Sequence, residues 1–309
     1  MKRSILCALA FGTFLVCGCS DRARKAFDDG TSAAQQGDFD LAIEDFTEVI
    51  RLDPKRVDAY INRGTAYGNK GEKDKAIVDF TEAIRLAPEN AKAYFGRAYA
   101  SGQKGEFDTA VADYTEAIRL DPNNADAYIN RGIAYRHTSE REKAISDYNE
   151  AIRLKPKYDR PYYSRGNAYR HLGEFDKAIA DYTETIRINP KHASAYNNRG
   201  SAYRHKGDFD KAIADCTEAV KLSPKSAAAY CGRGNAYQEK STYDKAVEDY
   251  TEAIRLNPKM ARAYYHRGTA YEKMGDKAKA KEDLAEAEKL GYKPRPSQPG
   301  VGTGKALPQ

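Results

Sequence analysis

The sequence predicts an all-α protein, a solenoid of eight stacked helix pairs. The first observation is a period of 34 residues: the segment NRGTAYGNKGEKDKAIVDFTEAIRLAPEN, which starts at Asn62, returns in altered form at Asn130 and Asn198. The second is that aromatic and small residues recur four and seven positions apart, the spacing of one helix face. The third is that glycine and proline recur at fixed places in the period, where they end helices.

The period divides most of the chain into eight consecutive repeats without insertion or deletion. Self-similarity at a fixed period is typical of architectures in which each repeat packs on its neighbours. The repeats are residues 23–56, 57–90, 91–124, 125–158, 159–192, 193–226, 227–260 and 261–294. Residues 1–18 and 19–22 precede them, and the Pro- and Gly-rich residues 295–309, which we expect to be a disordered tail, follow them.

Within a repeat, numbered here from 1 to 34, each half predicts one helix. Tyrosine at position 4, a small residue at 8 and tyrosine at 11 share a face of the first helix, and position 15 is mostly glycine. The second helix carries alanine at 20, an aromatic residue at 24 and usually alanine at 27, and proline at 32 ends it. Small residues let the two helices approach while the rings fill the remaining space, which explains most of the 23 tyrosines.

This pattern resembles the tetratricopeptide repeat, a helix–turn–helix unit of 34 residues. The resemblance covers about nine tenths of the chain after the first 18 residues and implies a right-handed superhelical solenoid. It also implies a groove lined by positions 2, 5, 6, 9, 12 and 13 of the first helices, which binds a protein partner or peptide. The family's arrangement for clamping a carboxyl terminus is not matched, because position 5 lacks lysine.

One departure from the family is systematic: position 7, usually leucine, is arginine in repeats two to eight. Position 23 is aspartate in every repeat and lies on the same flank of the helix pair. Because a partly buried charge needs a partner, we predict structural pairs within each repeat. The predicted pairs are Arg63–Asp79, Arg97–Asp113, Arg131–Asp147, Arg165–Asp181, Arg199–Asp215, Arg233–Asp249 and Arg267–Asp283.

Positions 21 and 28 of the second helix are Ile or Val in repeats one to seven, which predicts contact with the next repeat. In repeat eight they are Lys281 and Glu288, so the sequence predicts no further repeat beyond it.

The first helices of repeats four to six indicate a mildly basic binding groove. Arginine and histidine follow each other at positions 12 and 13 of these repeats, with amide and apolar side chains nearby. An acidic peptide, a carboxyl terminus or an anionic glycan would suit such a surface, although solvated basic residues on a helix face are an equal alternative. The candidate residues are Arg136, His137, Arg170, His171, Arg204, His205, Asn130, Asn167, Asn198, Ile129, Tyr163 and Tyr265.

No motif indicates catalysis, since the chain has no Gly-rich phosphate loop, no CxxC pair and no HExxH. Stacked helices about 8–10 Å apart hold the histidines of successive repeats too far apart for zinc. We therefore expect no catalytic residue, no metal site, no cofactor and no small-molecule substrate. A net charge of +6 among 96 charged residues does not indicate a nucleic-acid binder.

The amino terminus is typical of a bacterial lipoprotein signal peptide. Lys2 and Arg3 precede an apolar stretch, Ile5 to Val16, that is too short to span a bilayer comfortably. The sequence Val16-Cys17-Gly18-Cys19 resembles the lipobox, which implies lipidation at Cys19 and removal of residues 1–18. Ser20 after the lipidated residue favours the outer membrane, facing the periplasm. The alternative is a secreted protein with a free Cys19.

Together these features predict a membrane-anchored, non-catalytic scaffold that binds a protein partner or peptide in its groove. By analogy with lipid-anchored repeat proteins, we expect a role in envelope biogenesis, assembly or secretion. The alternative is a glycan-binding module, with peptidoglycan as ligand, or an accessory module of an enzyme on the periplasmic side.

Overall fold

The computed structural model describes residues 6–293, with side chains from Ser20 to Lys293. The described residues form sixteen α-helices and no strand, which confirms the predicted all-α fold of eight helix pairs. The helices are α1 Leu6–Gln36, α2 Phe39–Leu52, α3 Val57–Asn69, α4 Lys73–Leu86, α5 Ala91–Lys104, α6 Phe107–Leu120, α7 Ala125–His137, α8 Arg141–Leu154, α9 Asp159–Leu172, α10 Phe175–Ile188, α11 Ala193–His205, α12 Phe209–Leu222, α13 Ala227–Glu239, α14 Tyr243–Leu256, α15 Ala261–Met274 and α16 Lys277–Lys289.

The turn between the two helices of a repeat depends on one left-handed residue. Position 15 has a positive φ in all eight repeats. Glycine occupies it in six of them, where this conformation costs little. In repeats four and seven the same position is Ser139, with a φ of 66°, and Ser241, with a φ of 60°. The turn geometry is therefore kept even where the residue type opposes it.

The core of each repeat is built from alanines around one ring, as repeat four shows. Ala144, Ala151 and Tyr148, at positions 20, 27 and 24, are all fully buried. Gly132, at position 8, faces the ring so closely that an added Cβ would lie 2.7 Å from it. The small residues therefore set how closely the two helices approach.

The described residues group into two compact parts, here called the N-terminal half, up to Ala168, and the C-terminal half, from Tyr169. Among the described residues, no helix is both long enough and apolar enough to cross a membrane. The side chain of Cys19 and the predicted tail 295–309 lie outside the part of the chain that is described.

Candidate functional site

The arginines at position 7 and the aspartates at position 23 come together in six repeats. In each of these pairs Arg Nε and Nη2 donate to the two carboxylate oxygens of Asp at 2.7 to 2.9 Å, a bidentate geometry. The pairs are Arg63–Asp79, Arg97–Asp113, Arg131–Asp147, Arg199–Asp215, Arg233–Asp249 and Arg267–Asp283. Arg165 and Asp181 belong to different halves, and their pairing stays a prediction.

Most of these arginines also donate a hydrogen bond to the preceding repeat, and this contact was not predicted. Arg131 Nη1 donates to Thr115 Oγ1 at 3.1 Å, and Arg165 Nη1 donates to Asn149 Oδ1 at 2.5 Å. Both acceptors are at position 25 of the repeat before. The recurrence of threonine at position 25 was the available sequence signal. These arginines are occupied on two sides, so they belong to the scaffold and do not form a binding site.

The histidines at position 13 pack on aromatic rings of the preceding repeat. The rings of His137 and Phe107 lie parallel with centroids 4.2 Å apart, and those of His205 and Phe175 do so at 4.8 Å. Both histidines stay exposed on their other face. Burial and a neighbouring arginine lower the pKa of both imidazoles. They are therefore neutral near pH 7 and contribute a flat polar surface without charge.

The arginines at position 12, which precede these histidines in the sequence, carry positive charge. In the C-terminal half, Arg204 Nη2 lies 3.2 Å from His205 Nε2, and Arg204 Nη1 lies 3.3 Å from a carboxylate oxygen of Glu239. Arg170 Nη2 lies 3.5 Å from His171 Nε2, while its Nε is buried and has no hydrogen-bond partner among the described residues. In the N-terminal half Arg136 is half-buried on α7.

Some of the other predicted groove residues are accessible to a partner, and others are buried. Ile129 is fully buried in the core of the N-terminal half, contrary to expectation, so it cannot contact a partner. Asn130 is 9% exposed, and its Oδ1 accepts a hydrogen bond of 2.6 Å from Arg160 Nη2. Arg160 also pairs with Asp126 at 3.4 Å.

Four predicted residues remain half-buried on the first helices: Tyr163, Asn167, Asn198 and Tyr265. The ring of Tyr265 stacks on that of Tyr292 with centroids 4.5 Å apart, at the end of the last repeat. Asn198 Oδ1 lies 3.5 Å from the Nδ2 of its neighbour Asn197. Tyr265 thus belongs to the C-terminal end of the solenoid.

An apolar cleft of about 300 Å³ opens between α3 and α5, in the N-terminal half, and was not predicted. Ile61, Phe95 and Tyr99 line it together with the nearly buried ring of Phe80. Tyr99 is 49% exposed, which is unusual for so large a ring. A cleft lined by aromatic and aliphatic groups is the usual form of a site that receives an apolar side chain.

Two glycines shape this cleft. An added Cβ on Gly96 would lie 2.3 Å from the ring of Phe80, so this position has no room for a side chain. An added Cβ on Gly68 would meet no atom within 4 Å, so the absent side chain leaves the cleft open. Lys92, Asn69 and Asn124 supply polar groups around it. Glycine at position 12, where repeats four to six carry arginine, was the sequence signal for this cleft.

Among the described side chains, no group of three or more His, Cys, Asp or Glu residues is placed to hold a metal ion. Cys216 and Cys231 are free, buried thiols. In the N-terminal half, the helices present an apolar cleft with Lys92 among its lining residues, and Arg136 lies half-buried on α7. A repeat scaffold with such a surface defines a protein-interaction class of molecule.

Comparison with known proteins identifies the repeats. Models of the tetratricopeptide repeat match residues 30–71, 57–90, 100–138, 125–158, 163–227, 234–275 and 261–290. The chain belongs to the tetratricopeptide repeat family. A comparison with curated proteins finds no match.

Solved structures share the fold. A tetratricopeptide repeat protein from Parabacteroides merdae ATCC 43184 is 19% identical, with a TM-score of 0.64 over 81% of this chain and 99% of that one. MamA protein is 30% identical, with a TM-score of 0.51 over 57% of this chain and 96% of that one. YrrB, described as a TPR protein with an unusual peptide-binding site, is 22% identical, with a TM-score of 0.51 over 60% and 95% of the two chains.

Proposed function

We propose that this protein is a scaffold that binds an extended segment of a partner protein on its first helices. The observation that carries the proposal is the open cleft between α3 and α5, in which Tyr99 is 49% exposed. An apolar side chain of the partner would fill the cleft and cover this ring. Buried aromatic anchors of this kind provide most of the binding energy in protein interfaces.

The charges near the cleft favour a partner segment with carboxylates. Lys92 lies at the cleft, and Arg136 on α7 adds a second cation in the same half. In the C-terminal half, Arg170 and Arg204 lie close enough to His205 to lower its pKa, after the larger effect of burial. Arginine and lysine side chains recognise carboxylates through charge-assisted hydrogen bonds.

The cleft can be tested by placing a photo-reactive side chain at position 99 of the full chain in its own cells. Crosslinks between position 99 and partner segments should disappear in the Gly68→Leu variant. Its leucine fills the cleft, since position 68 has room for a side chain. Gly102→Leu is the matched control, because it has the same position in the next repeat and does not line the cleft. With the identified segment, Tyr99→Ala should weaken binding about tenfold or more. Unchanged crosslinking in Gly68→Leu would refute the site.

A glycan is the second candidate ligand, because an exposed tyrosine ring with amide side chains nearby also suits a sugar. Asn69 and Asn124 supply these amides beside Tyr99. A binding assay with purified peptidoglycan strands that carry no protein distinguishes the glycan from the protein segment as the ligand. Saturable binding that Gly68→Leu abolishes would favour the glycan, whereas binding only to the crosslinked protein segment would favour the scaffold.

We also propose that the scaffold is anchored to the cell envelope through a lipid on Cys19. The amino-terminal pattern of charge, apolar stretch and cysteine supports this proposal. Such an anchor would place the partner near the outer membrane and suits envelope biogenesis, assembly or secretion. Mass spectrometry of the mature amino terminus would show an acylated Cys19. The Cys19→Ala variant should lose the lipid and leave the membrane fraction, and an unmodified amino terminus in the native chain would refute the anchor.

A further inference from the structure

The last helix, α16, has a face without a neighbour among the described residues. In repeats one to seven, positions 21 and 28 of the second helix are Ile or Val. In repeat seven these residues, Val247 and Ile254, pack against a cluster that includes Ala263 and Ala270 of repeat eight. In α16 these positions are Lys281 and Glu288, and both side chains are exposed. They are seven residues apart and therefore lie on one face, two turns from each other.

The middle of this face is apolar. Leu284 is half-buried and Ala285 is exposed, and both lie between the two charged residues. Two shallow clefts, of about 460 and 650 Å³, border the face, and Leu284 and Glu288 line both of them. The face therefore has an apolar centre with a cation towards the start of the helix and an anion towards its end.

Four other charged residues of α16 are engaged in ion pairs. Lys279 pairs with Asp276 at 2.9 Å, and Lys289 pairs with Glu286 at 3.0 Å. Asp283 is buried against Arg267. No ion pair of the described residues involves Lys281 or Glu288, so the two charges of the face stay available for a partner.

We propose that two copies of this chain pair through this face, with α16 packed antiparallel on α16 of the second copy. A two-fold axis between Leu284 and Ala285 brings each Lys281 opposite the other copy's Glu288, so the contact contains two equivalent ion pairs. A parallel pairing would instead oppose like charges, which disfavours it. A single helix face gives a small interface, so we expect a weak dimer that forms at micromolar concentrations.

Charge reversal tests the pairing in the full chain, purified in mild detergent, by sedimentation over a range of concentrations. Lys281→Glu and Glu288→Lys should each raise the dimer dissociation constant about tenfold, because each brings like charges together. The double variant should restore pairing, because it exchanges the two charges. Both side chains are exposed, so the melting temperature should not change at concentrations at which the chain is monomeric, and this measurement excludes a loss of folding.

A disulfide crosslink tests the geometry. Residue 285 lies almost on the proposed axis, so Ala285→Cys should form a disulfide between copies under mild oxidation. Lys279→Cys is the control, because at about 1.5 Å of rise per residue its two copies would be about 16 Å apart along the helices. A chain that stays monomeric at all concentrations would overturn the proposal, whether the face is then solvated or covered by residues 294–309. Equal crosslinking of both variants would overturn the antiparallel arrangement.

Discussion

Arg131 and Asp147 are joined by two parallel hydrogen bonds, Nε to Oδ2 at 2.9 Å and Nη2 to Oδ1 at 2.7 Å. Asp147 is 5% exposed, and burial raises the pKa of its carboxylate while Arg131 opposes that rise. Arg131 Nη1 also donates to Thr115 of the preceding repeat. One side chain therefore connects the two helices of its own repeat and the second helix of the repeat before.

Arg131→Leu with Asp147 retained should lower the free energy of unfolding by about 3 kcal/mol, because it leaves a buried carboxylate without its partner. The loss should shrink as the pH falls, since protonation removes the unpaired charge. Urea unfolding at several pH values measures both effects. Arg153→Leu, which breaks an exposed pair with Glu150, is the control and should cost less than about 1 kcal/mol. Equal stability of the two variants would contradict the structural role of the pair.

Substitution by alanine should have opposite effects on stability at Gly96 and at Gly68. An added Cβ on Gly96 would lie 2.3 Å from Phe80, whose ring is only 4% exposed and has little room to move. Gly96→Ala should therefore destabilise the fold by about 1–3 kcal/mol. Gly68→Ala meets no atom within 4 Å and should stabilise α3 by about 0.5–1 kcal/mol. Thermal unfolding of both variants checks the difference in sign, and destabilisation by Gly68→Ala would mean that the cleft is not open.

The fold and the ion pairs followed from the sequence because each depends on a residue type that recurs at one position. Position 7 and position 23 pair in the same way in six described repeats, so averaging over repeats strengthens the signal. The cleft is an exception of one repeat: it depends on the missing side chain at Gly68, whereas Gly102, the glycine at the same position of the next repeat, does not line it. Averaging over repeats hides such an exception.

Burial at position 5 shows the same limit. Ile61 lines the open cleft, whereas Ile129, at the same position two repeats later, is fully buried. Ile129 belongs to a buried cluster with Tyr148 and Ala168, whereas Ile61 is only partly buried against the cluster that contains Phe80. The same residue type at position 5 is therefore buried in one repeat and lines an open cleft in another, and a pattern averaged over the repeats does not contain that difference.

The two buried cysteines should resist alkylation in the native protein. Burial raises the pKa of the Cys216 thiol to about 12 and also raises that of Cys231, so little thiolate forms at pH 8. Native labelling followed by peptide mass spectrometry should find both unmodified, and both should react in denaturant. Ala228→Cys, at an exposed position of the same helix as Cys231, is the reactive control. Rapid native labelling of Cys216 would show that α12 opens readily.

His266 should make the stability of the C-terminal half depend on pH. Burial and, to a smaller extent, Arg204 and Arg262 lower the pKa of its imidazole to about 4 from 6.5. Its ring lies between those of Tyr250 and Tyr265, with centroids 5.8 and 5.5 Å away. The unfolded chain binds the proton more tightly than the folded chain does. The contribution of neutral His266 to the free energy of unfolding is therefore complete above pH 6.5 and is lost as the pH falls towards 4. The total loss should be no more than about 3 kcal/mol.

Urea unfolding between pH 7.5 and 4.5 measures this dependence. His266→Phe keeps an aromatic ring and removes the titrating group, so its stability should fall less than that of the native protein over this range. His205→Phe is the control, because His205 is exposed and its substitution should leave most of the pH dependence of stability unchanged. If His266→Phe and the native protein lose stability equally between pH 6.5 and 4.5, the imidazole is not held in its neutral form by the fold.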